Sequence, residues 1–237
     1  MKTKTIAILL LIILSGIFYY YLTEPTGNVI KEKQTAQVIR VIDGDTLETN
    51  LGKIRLLGIN TPEKKQPFHD EAEEFLNNLT LNKTVELEIT GKDKYDRYLA
   101  YIFIDNEIIN QKVLENGFAN LYYYGKDQYY DQMKNSEEFA RKNELGIWKK
   151  SSKSFCVSLI ELDYTEETRC TNQEILILNN SCQEINVIIK DDANHIENII
   201  LPSGIYTQKF SCIFNDEGDS LYIRDSEGLI LFYRYQN

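Results

Sequence analysis

Between residues 35 and 150, short runs of alternating apolar and polar residues are interspersed with runs of helical spacing. Alternation bounded by turn residues predicts β-strands, and apolar residues three and four positions apart predict helices. The predicted strands are residues 37–42, 46–49, 53–59, 85–89 and 99–104, and the predicted helices are 70–79, 108–116 and 131–145. Five strands with interspersed helices predict a small β-barrel with helical additions.

After a short linker at 151–154, residues 155–237 consist almost entirely of alternating runs. Turns rich in Asn, Asp and Gly separate seven such runs, which begin near Val157, Glu174, Ile185, Asn198, Tyr206, Ser220 and Leu229. Many short strands with little helical pattern are typical of a β-sandwich. The chain is therefore expected to be mainly β and multi-domain.

The first 23 residues differ from the rest in composition. Lys2 and Lys4 precede an uncharged run from Thr5 to Leu22. As a helix this run would reach about 27 Å, close to the ~30 Å of a hydrocarbon core. The segment fits a single-pass transmembrane signal-anchor with its positive end in the cytoplasm, and a cleaved signal peptide is the alternative. Either interpretation leads, through a linker at 24–34, to domains outside the cytoplasm.

All four cysteines, Cys156, Cys170, Cys182 and Cys212, lie after residue 150. An even number of cysteines in an exported, β-rich segment predicts two disulfides. Zinc binding is the competing use, but the spacing contains no Cys-x₂-Cys knuckle. The pairing stays open among the possible connectivities.

The chain of 237 residues has 26 Lys and Arg against 36 Asp and Glu, a net charge of −10. A protein that holds nucleic acid by bulk charge normally has the opposite sign. Most of the excess lies after residue 150, where 14 acidic groups oppose 6 basic ones. The excess of acidic groups therefore argues against nucleic-acid binding by the predicted sandwich more than by the predicted barrel. Two histidines, His69 and His195, are too few for a His-rich metal site.

Side chains suited to chemistry concentrate in three turns of the predicted barrel. These turns are Asp43-Gly-Asp45-Thr46, Asn60-Thr-Pro-Glu63, which follows the strand that carries Arg55, and Asp93-Lys-Tyr-Asp-Arg97. Hard divalent cations prefer oxygen ligands such as those of the first two turns, and arginine forks suit phosphate oxygens. Each turn alone is a weak signal, because most such turns have no chemical role.

Taken together, the order and spacing of these turns resemble the staphylococcal nuclease (thermonuclease) family over residues 35–150. The matching stretches are VIDGDT (41–46), IRLLGINTPE (54–63), DKYDRYLAYIF (93–103), IINQKVLENGFANLYYY (108–124) and EEFARKNELGIW (137–148). The resemblance implies an OB-fold barrel, one Ca²⁺ ion, and hydrolysis of DNA and RNA phosphodiesters. It also implies cleavage at the 5′ P–O bond, which leaves 3′-phosphate products.

The resemblance further assigns roles residue by residue. It implies that the catalytic residues are Arg55, Glu63 and Arg97. It implies that the metal site comprises Asp45, Asn60 and Thr61, with Asp43 as a nearby second carboxylate. It implies that the substrate contacts are Tyr95, Lys94 and Tyr123.

Three positions depart from the family pattern. Asn60 stands where the family most often has a metal-ligand aspartate, so the site loses one negative charge and its Ca²⁺ affinity is expected to fall. Asp96 and Tyr98 replace glycines on either side of Arg97. Both are expected to change how that arginine is presented, and Asp96 can pair with it.

The last segment resembles a lamin-tail type of immunoglobulin-like domain at residues 174–180 and 214–229. This resemblance implies an accessory binding or tethering role, and a purely structural cap is the alternative. The favoured function for the whole chain is an exported, membrane-tethered, Ca²⁺-dependent nuclease. The alternative is a cell-surface protein whose barrel holds nucleic acid or another polyanion without cutting it, with a weakened metal site.

Overall fold

The computed structural model describes residues 33–123, 125–164, 174–193, 195–211, 213–215 and 218–236. The predicted anchor at 1–23, almost all of the linker at 24–34, and both Cys170 and Cys212 lie outside these ranges. Among the residues described, no helix is both long enough and apolar enough to cross a membrane.

The barrel region, residues 34–148, contains the predicted strands in the predicted order. Its strands are β1 (Gln34–Asp43), β2 (Thr46–Thr49), β3 (Gly52–Leu56), β4 (Ile59–Asn60), β5 (Thr84–Lys92), β6 (Tyr98–Ile104), β7 (Glu107–Ile108) and β8 (Asn120–Leu121). Antiparallel pairing runs in the order β3, β2, β1, β5, β6, and parallel pairing of β3 with β6 closes the ring. This five-stranded, OB-like barrel confirms the predicted architecture of the region.

Alternation along the strands sets which side chains form the barrel core. Leu47, Ile54, Leu87 and Ile102 are completely buried, whereas the neighbouring Lys53 is exposed. Successive side chains of a strand point to opposite faces, so a strand with one face in the core alternates in this way. Burial of each large apolar side chain contributes about 1.5–3 kcal/mol.

Three helices of the described chain surround the barrel: α1 (His69–Thr80), α2 (Ile109–Glu115) and α3 (Tyr130–Lys142). Each was predicted to within three residues at either end. Ala72 and Leu76 form the buried face of α1, and Met133 and Ala140 lie on that of α3. The helix predicted to reach Leu145 ends earlier, because a 3₁₀ turn at 146–148 takes over after Gly146.

One strand was predicted with the wrong extent. The run at 53–59 breaks after Leu56, because Gly58 adopts φ of +81° and the chain re-enters a different ladder as β4, which pairs with β8. The tyrosines at 122–124 alternate in pattern with their neighbours, but β8 ends at Leu121. Tyr122 and Tyr123 therefore lie in a loop beside the barrel.

The second region is the predicted β-sandwich. Its described strands are β9 (Val157–Asp163), β10 (Glu174–Asn180), β11 (Ile185–Lys190), β12 (Ile196–Leu201), β13 (Gly204–Phe210), β14 (Gly218–Arg224) and β15 (Leu229–Gln236). One sheet has the order β13-β10-β9 and the other β12-β11-β14-β15. Leu176 and Leu178 from the first sheet share a core with Val187 and Leu221 from the second. The closer resemblance to lamin-tail domains stays a prediction.

A disulfide joins Cys156, just before β9, to Cys182, just after β10. The prediction of disulfides is thereby confirmed for this pair, and zinc binding by these two sulfurs is excluded. The other two predicted disulfide residues lie outside the described ranges.

Aromatic side chains fill the junction between the barrel region and the sandwich. Trp148 is 1% exposed, and its ring packs on Tyr222 of β14 and edge-on against Phe232 of β15. The backbone also crosses the junction, since Ser151 and Leu229 are joined by a hydrogen bond of 2.9 Å. Trp148 therefore closes a core, as expected from its position after the last helix.

A buried ion pair crosses the same junction. Arg234 of β15 donates from two guanidinium nitrogens to the carboxylate of Glu137 on α3, which is fully buried. The backbone N–H of Leu121 also donates to Glu137 Oε1, at 2.7 Å. Arg234 also lies 3.5 Å from Asp192 Oδ1, in the turn between β11 and β12.

We expect Arg234→Ala to lower the free energy of unfolding by about 3–5 kcal/mol, because it leaves the Glu137 carboxylate buried without its partner. The double variant Glu137→Gln/Arg234→Met removes both charges, and its loss is expected to be much smaller. Urea denaturation followed by tryptophan fluorescence measures both. Arg40→Ala, which breaks an exposed pair with Glu48, is the control and is expected to cost less than about 1 kcal/mol. Equal losses in the single and double variants would contradict this account.

Candidate functional site

The turn between β1 and β2 packs closely against the segment after β4. Gly44 occupies its tip, and a Cβ atom there would lie 2.7 Å from Cβ of Ala72 and 3.0 Å from the side chain of Thr61. Such approaches are too close for any side chain, so glycine is required. Because Gly44 has no side chain, the neighbouring Asp43 and Asp45 can lie close to residues 60–63.

Asp45 connects three strands through its buried carboxylate. Its Oδ2 accepts hydrogen bonds from the backbone N–H of Thr61 at 2.9 Å and from the Thr61 hydroxyl at 3.0 Å. The same oxygen lies 3.0 Å from Nη1 of Arg55, and Oδ1 accepts from the Thr46 hydroxyl. Four contacts thus hold this carboxylate, which is 6% exposed, in one orientation.

Asp43 lies next to the Asp45 carboxylate, and the two negative charges repel each other. Burial first, and then the charge of Asp45, raise the pKa of Asp43 to about 6. Two adjacent carboxylates that repel each other form a suitable site for a hard cation, which would relieve the repulsion. Across the described ranges, no group of three or more His, Cys, Asp or Glu side chains is placed to hold a metal ion. The oxygen set for a cation is therefore these two carboxylates, supplemented by amide or backbone oxygens nearby.

Arg55 of β3 lies between this carboxylate pair and Asn60. Its Nη1 donates to the backbone oxygen of Leu56 at 3.0 Å, and its Nη2 donates to Asn60 Oδ1 at 3.0 Å. Together with Asp45, these acceptors hold the guanidinium plane in one orientation. The arginine is thus presented to the cleft as a fixed fork.

Asn60 uses both ends of its side-chain amide. While Oδ1 accepts from Arg55, Nδ2 donates to the backbone oxygens of Asp192 at 3.2 Å and Ala193 at 3.0 Å, both in the turn between β11 and β12. An aspartate at this position could accept from Arg55 but could not donate to the two carbonyls. The departure from the family pattern therefore coincides with a contact to the sandwich.

Glu63 follows Pro62 and is exposed at the edge of the same cleft. Its backbone N–H donates to Oε1 of Gln66 at 3.1 Å, and its backbone oxygen accepts from the Gln66 N–H at 2.8 Å. These two bonds fix the turn that precedes α1. Its carboxylate is the acidic side chain that this turn contributes to the cleft.

Arg97 is oriented by Asp93 at the other end of its turn. Its Nε donates to Asp93 Oδ2 at 2.7 Å, its backbone N–H donates to Oδ1, and Nη1 contacts the Thr46 hydroxyl at 3.3 Å. Partial burial would raise the pKa of Asp93, but the bonds from Arg97 outweigh it and lower that pKa.

The predicted pairing of Asp96 with Arg97 is wrong. Asp96 adopts φ of +63°, a left-handed conformation that suits the glycine of the family pattern and that Asp tolerates. In this conformation its side chain pairs with Lys92 at 2.7 Å. Tyr98, which replaces the other glycine beside Arg97, contacts the same lysine: its ring centroid lies 4.4 Å from Lys92 Nζ.

The predicted substrate contacts differ in exposure. Tyr95 is 67% exposed, and its ring lies 5.1 Å from Lys94 Nζ and 5.4 Å from the Arg97 guanidinium. Tyr123 is half-buried; its hydroxyl bonds with that of Tyr101, and burial raises its pKa. Tyr95 is thus a free stacking surface, whereas Tyr123 is a more rigid part of the wall.

These residues surround one open cleft of about 830 Å³. The sequence-predicted residues that line it are Asp43, Asp45, Arg55, Asn60, Glu63, Lys94, Tyr95, Arg97 and Tyr123. Thr61 is not among the lining residues, since it is buried behind Asp45. Sequence reasoning missed Asp93, which orients Arg97, and Ala193 and His195, which line the cleft from the sandwich.

Comparison with known proteins gives the same region. A family model described as Staphylococcal nuclease homologue matches residues 53–150. A thermonuclease of Staphylococcus hyicus is 35% identical over 129 residues, which cover 49% of this chain and 76% of that protein. A thermonuclease of Staphylococcus intermedius is 30% identical over 168 residues, which cover 63% of this chain and all of that protein. An uncharacterized endonuclease of Haemophilus influenzae is 35% identical over 124 residues, or 50% and 68% of the two chains.

The chain belongs to the staphylococcal nuclease homologue family. Its membership accounts for the closed barrel and for the three turns that meet at the cleft. The sandwich lies outside the matched residues, so its contacts to Asn60 and to the cleft are features of this chain that the family match does not cover.

We expect Asn60→Asp to loosen the turn between β11 and β12 while keeping the acceptor for Arg55. Loss of two donated hydrogen bonds is expected to raise amide exchange at Ala193 and His195 by about tenfold or more. Hydrogen–deuterium exchange without added metal measures this. Asn116→Asp, an exposed site with the same change of charge, is the control and should leave the turn protected. Unchanged exchange in Asn60→Asp would mean that the amide does not hold the turn.

Proposed function

We propose that this protein is an exported, Ca²⁺-dependent nuclease that hydrolyses phosphodiester bonds of DNA and RNA at the 5′ P–O bond. Membership of a nuclease family supports phosphodiester hydrolysis itself. The observation that carries the proposal is that Arg55, Glu63 and Arg97 line one cleft together with two carboxylates. The metal dependence, the bond cleaved and the location are the further parts of the proposal.

The two arginines are suited to the charge that develops during the reaction. Attack on a phosphodiester adds negative charge to the equatorial oxygens of a five-coordinate transition state. Arg55 is held by Asp45 and Asn60, and Arg97 is held by Asp93, so neither has to reorganise to meet that charge. Preorganised donors of this kind stabilise the transition state more than the ground state.

Glu63 is the group proposed to take the proton from the attacking water. Its carboxylate lines the cleft and is exposed, so a water molecule can reach it. Of the two histidines, His69 has its Nδ1 2.9 Å from the backbone oxygen of Pro62 and is absent from the cleft lining, whereas His195 lines the cleft from the sandwich. Glu63 is preferred as the base because it lies in the barrel turn that follows Arg55 and matches the glutamate of the family pattern.

Asp43 and Asp45 are the residues proposed to hold Ca²⁺, with the Asn60 amide oxygen and the Thr61 backbone oxygen as further donors. Hard oxygen ligands and a flexible coordination number suit this ion. A bound Ca²⁺ ion supplies Lewis-acid polarisation of a phosphate oxygen.

Tyr95, Lys94 and Tyr123 are proposed to bind the substrate next to the reacting phosphate. The exposed ring of Tyr95 offers a face for a base, and stacking of a base on an aromatic ring contributes about 1–3 kcal/mol. Lys94 Nζ, near that ring, suits a phosphate. These contacts discriminate little between DNA and RNA, in keeping with a nuclease that accepts both.

Export and membrane tethering belong to the proposal as well. Their basis is the sequence of the N-terminal segment, with two lysines before an uncharged run of apolar residues. The disulfide between Cys156 and Cys182 supports an oxidising compartment. We propose that the barrel and the sandwich lie outside the cytoplasm, anchored by the segment or released if it is cleaved.

The test of this function is cleavage of single- and double-stranded DNA and of RNA by the purified chain, with Ca²⁺ or with EGTA. We expect cleavage with Ca²⁺ and at least a hundredfold less with EGTA, and end-labelled products that carry 3′-phosphates. Glu63→Gln and Arg97→Ala are each expected to lower kcat by about 10²-fold or more.

Matched controls separate these roles from general effects of charge. Glu71→Gln, on the exposed first turn of α1, and Arg40→Ala, on the exposed side of β1, remove the same charges elsewhere. Both are expected to cleave at the wild-type rate. Absence of cleavage from pH 7 to 10 with any of the three substrates, together with retained binding of an oligonucleotide, would instead support a non-catalytic nucleic-acid-binding protein.

Asn60→Asp is expected to bind Ca²⁺ about tenfold more tightly, because a third carboxylate increases the negative charge of the ligand set. Isothermal titration with CaCl₂ on the full chain measures the affinity without reference to activity. The Asn116→Asp variant adds the same charge at an exposed position that does not line the cleft, and it serves as the control. A Ca²⁺ affinity that does not change in Asn60→Asp would remove Asn60 from the proposed ligand set.

A further inference from the structure

The sandwich contributes part of the wall of the cleft that contains Arg55, Glu63 and Arg97. Ala193 and His195, from the turn between β11 and β12, line this cleft opposite residues of the barrel. In sequence they lie 94 or more residues after the lining residues of the barrel strands, which end at Leu99, and 66 or more after those of the loop that follows β8, which end at Asp127. A substrate that fills the cleft therefore meets both regions of the protein.

The barrel holds this turn in place through two paired strands. Asn60 of β4 and Asn120 of β8 are register partners, and both side-chain amides donate to the backbone oxygen of Asp192, at 3.2 and 3.1 Å. Asn60 also donates to the Ala193 oxygen at 3.0 Å. Three hydrogen bonds from the rim of the barrel thus fix the backbone of Asp192 and Ala193.

The sandwich holds the same turn from the other side. The carboxylate of Asp192 accepts from the Tyr222 hydroxyl at 2.7 Å and from the Ser220 hydroxyl at 2.9 Å. Its backbone N–H donates to Asp219 at 2.9 Å. The position of the turn relative to the cleft is consequently set by both regions.

His195 is oriented by the fully buried carboxylate of Asp191. Its backbone N–H donates to Asp191 Oδ1 at 3.1 Å, and its ring Nδ1 lies 2.6 Å from Oδ2. The side chain is nevertheless 57% exposed. With Nδ1 hydrogen-bonded to the carboxylate, Nε2 is the ring nitrogen left to meet a ligand in the cleft.

We propose that His195 is a substrate-binding residue that contacts a backbone phosphate of the polynucleotide strand beyond the phosphodiester being cleaved. In the bound state Nδ1 stays in contact with Asp191 and Nε2 contacts a phosphate oxygen. A strand carries a phosphate at every nucleotide, so a strand bound at Arg55 and Arg97 presents further phosphates along the cleft. This inference rests on the proposed nuclease function and extends it to a second binding position supplied by the sandwich.

The test compares steady-state cleavage of a dinucleotide and of an octanucleotide by the full chain. His195→Ala is expected to raise KM for the octanucleotide about tenfold, with kcat changed less than about twofold, and to leave both constants for the dinucleotide unchanged. Asp191→Asn, which weakens the orientation of the ring, is expected to give a smaller increase in the same KM. Lys209→Ala, which removes an exposed cation from β13, is the control and should change neither.

Salt dependence provides a readout that a purely structural role would not change. Loss of one phosphate contact is expected to reduce the slope of log KM against log salt for the octanucleotide by about 0.7. An octanucleotide KM within twofold of wild type in His195→Ala, or an equal rise for both substrates, would overturn the inference and leave the nuclease function in place.

If the wild-type chain cleaves neither substrate, the proposed function fails, and binding alone decides the question of His195. Fluorescence anisotropy with a labelled octanucleotide in EGTA then measures Kd for the wild type and for His195→Ala. A roughly tenfold weaker Kd in the variant supports the phosphate contact. Equal Kd values would overturn it.

Discussion

The buried ion pair between Glu137 and Arg234 is the interaction on which the shape of the cleft depends. Removing two charges from water costs several kcal/mol for each ion, and the pair is stable only because both partners are otherwise satisfied. The N–H of Leu121 donates to the carboxylate, and Arg234 Nε donates to the Ser220 hydroxyl at 2.6 Å. Arg234 also reaches Asp192. The contact that fastens β15 to α3 therefore also positions the turn that closes one side of the cleft.

Asp45 has the corresponding role on the barrel side. It joins β2, β3 and the segment after β4 through Thr46, Arg55 and Thr61, so that Arg55 and this carboxylate form one rigid group. Asn60 then connects this group to the sandwich, since its amide accepts from Arg55 and donates to the turn after β11. An aspartate would serve only the first of these partners. The amide of Asn60 thus adds two hydrogen bonds to the contact between the two regions.

The sequence alone predicted the features that depend on local pattern. The barrel strands, the three helices and the seven strands of the sandwich follow from periodicity, and the set of residues in the cleft follows from three motifs in order. The contribution of His195 could not be predicted, because backbone oxygens of its turn carry the contact and these have no signature in sequence. The partner of Arg97 was predicted wrongly because the left-handed backbone at Asp96 directs that side chain towards Lys92. The short strand β4 was not predicted as a separate strand, because the alternating pattern of residues 53–59 continues across Gly58, where the backbone changes direction.

A net charge of −10 is unfavourable for a protein that binds a polyanion, and the structure indicates why the total is a poor guide. Two of the carboxylates around the cleft hold a cation in place, since Asp45 orients Arg55 and Asp93 orients Arg97. The negative member of each pair is the more enclosed one, so the side presented to a substrate is the positive one. Electrostatic attraction in such a cleft acts where these groups approach a phosphate to within a few ångströms. Beyond about 10 Å, salt at 0.1 M screens it. Recognition of the substrate then depends on the geometry of individual cations, which is the property that the ion pairs of the barrel and the sandwich fix.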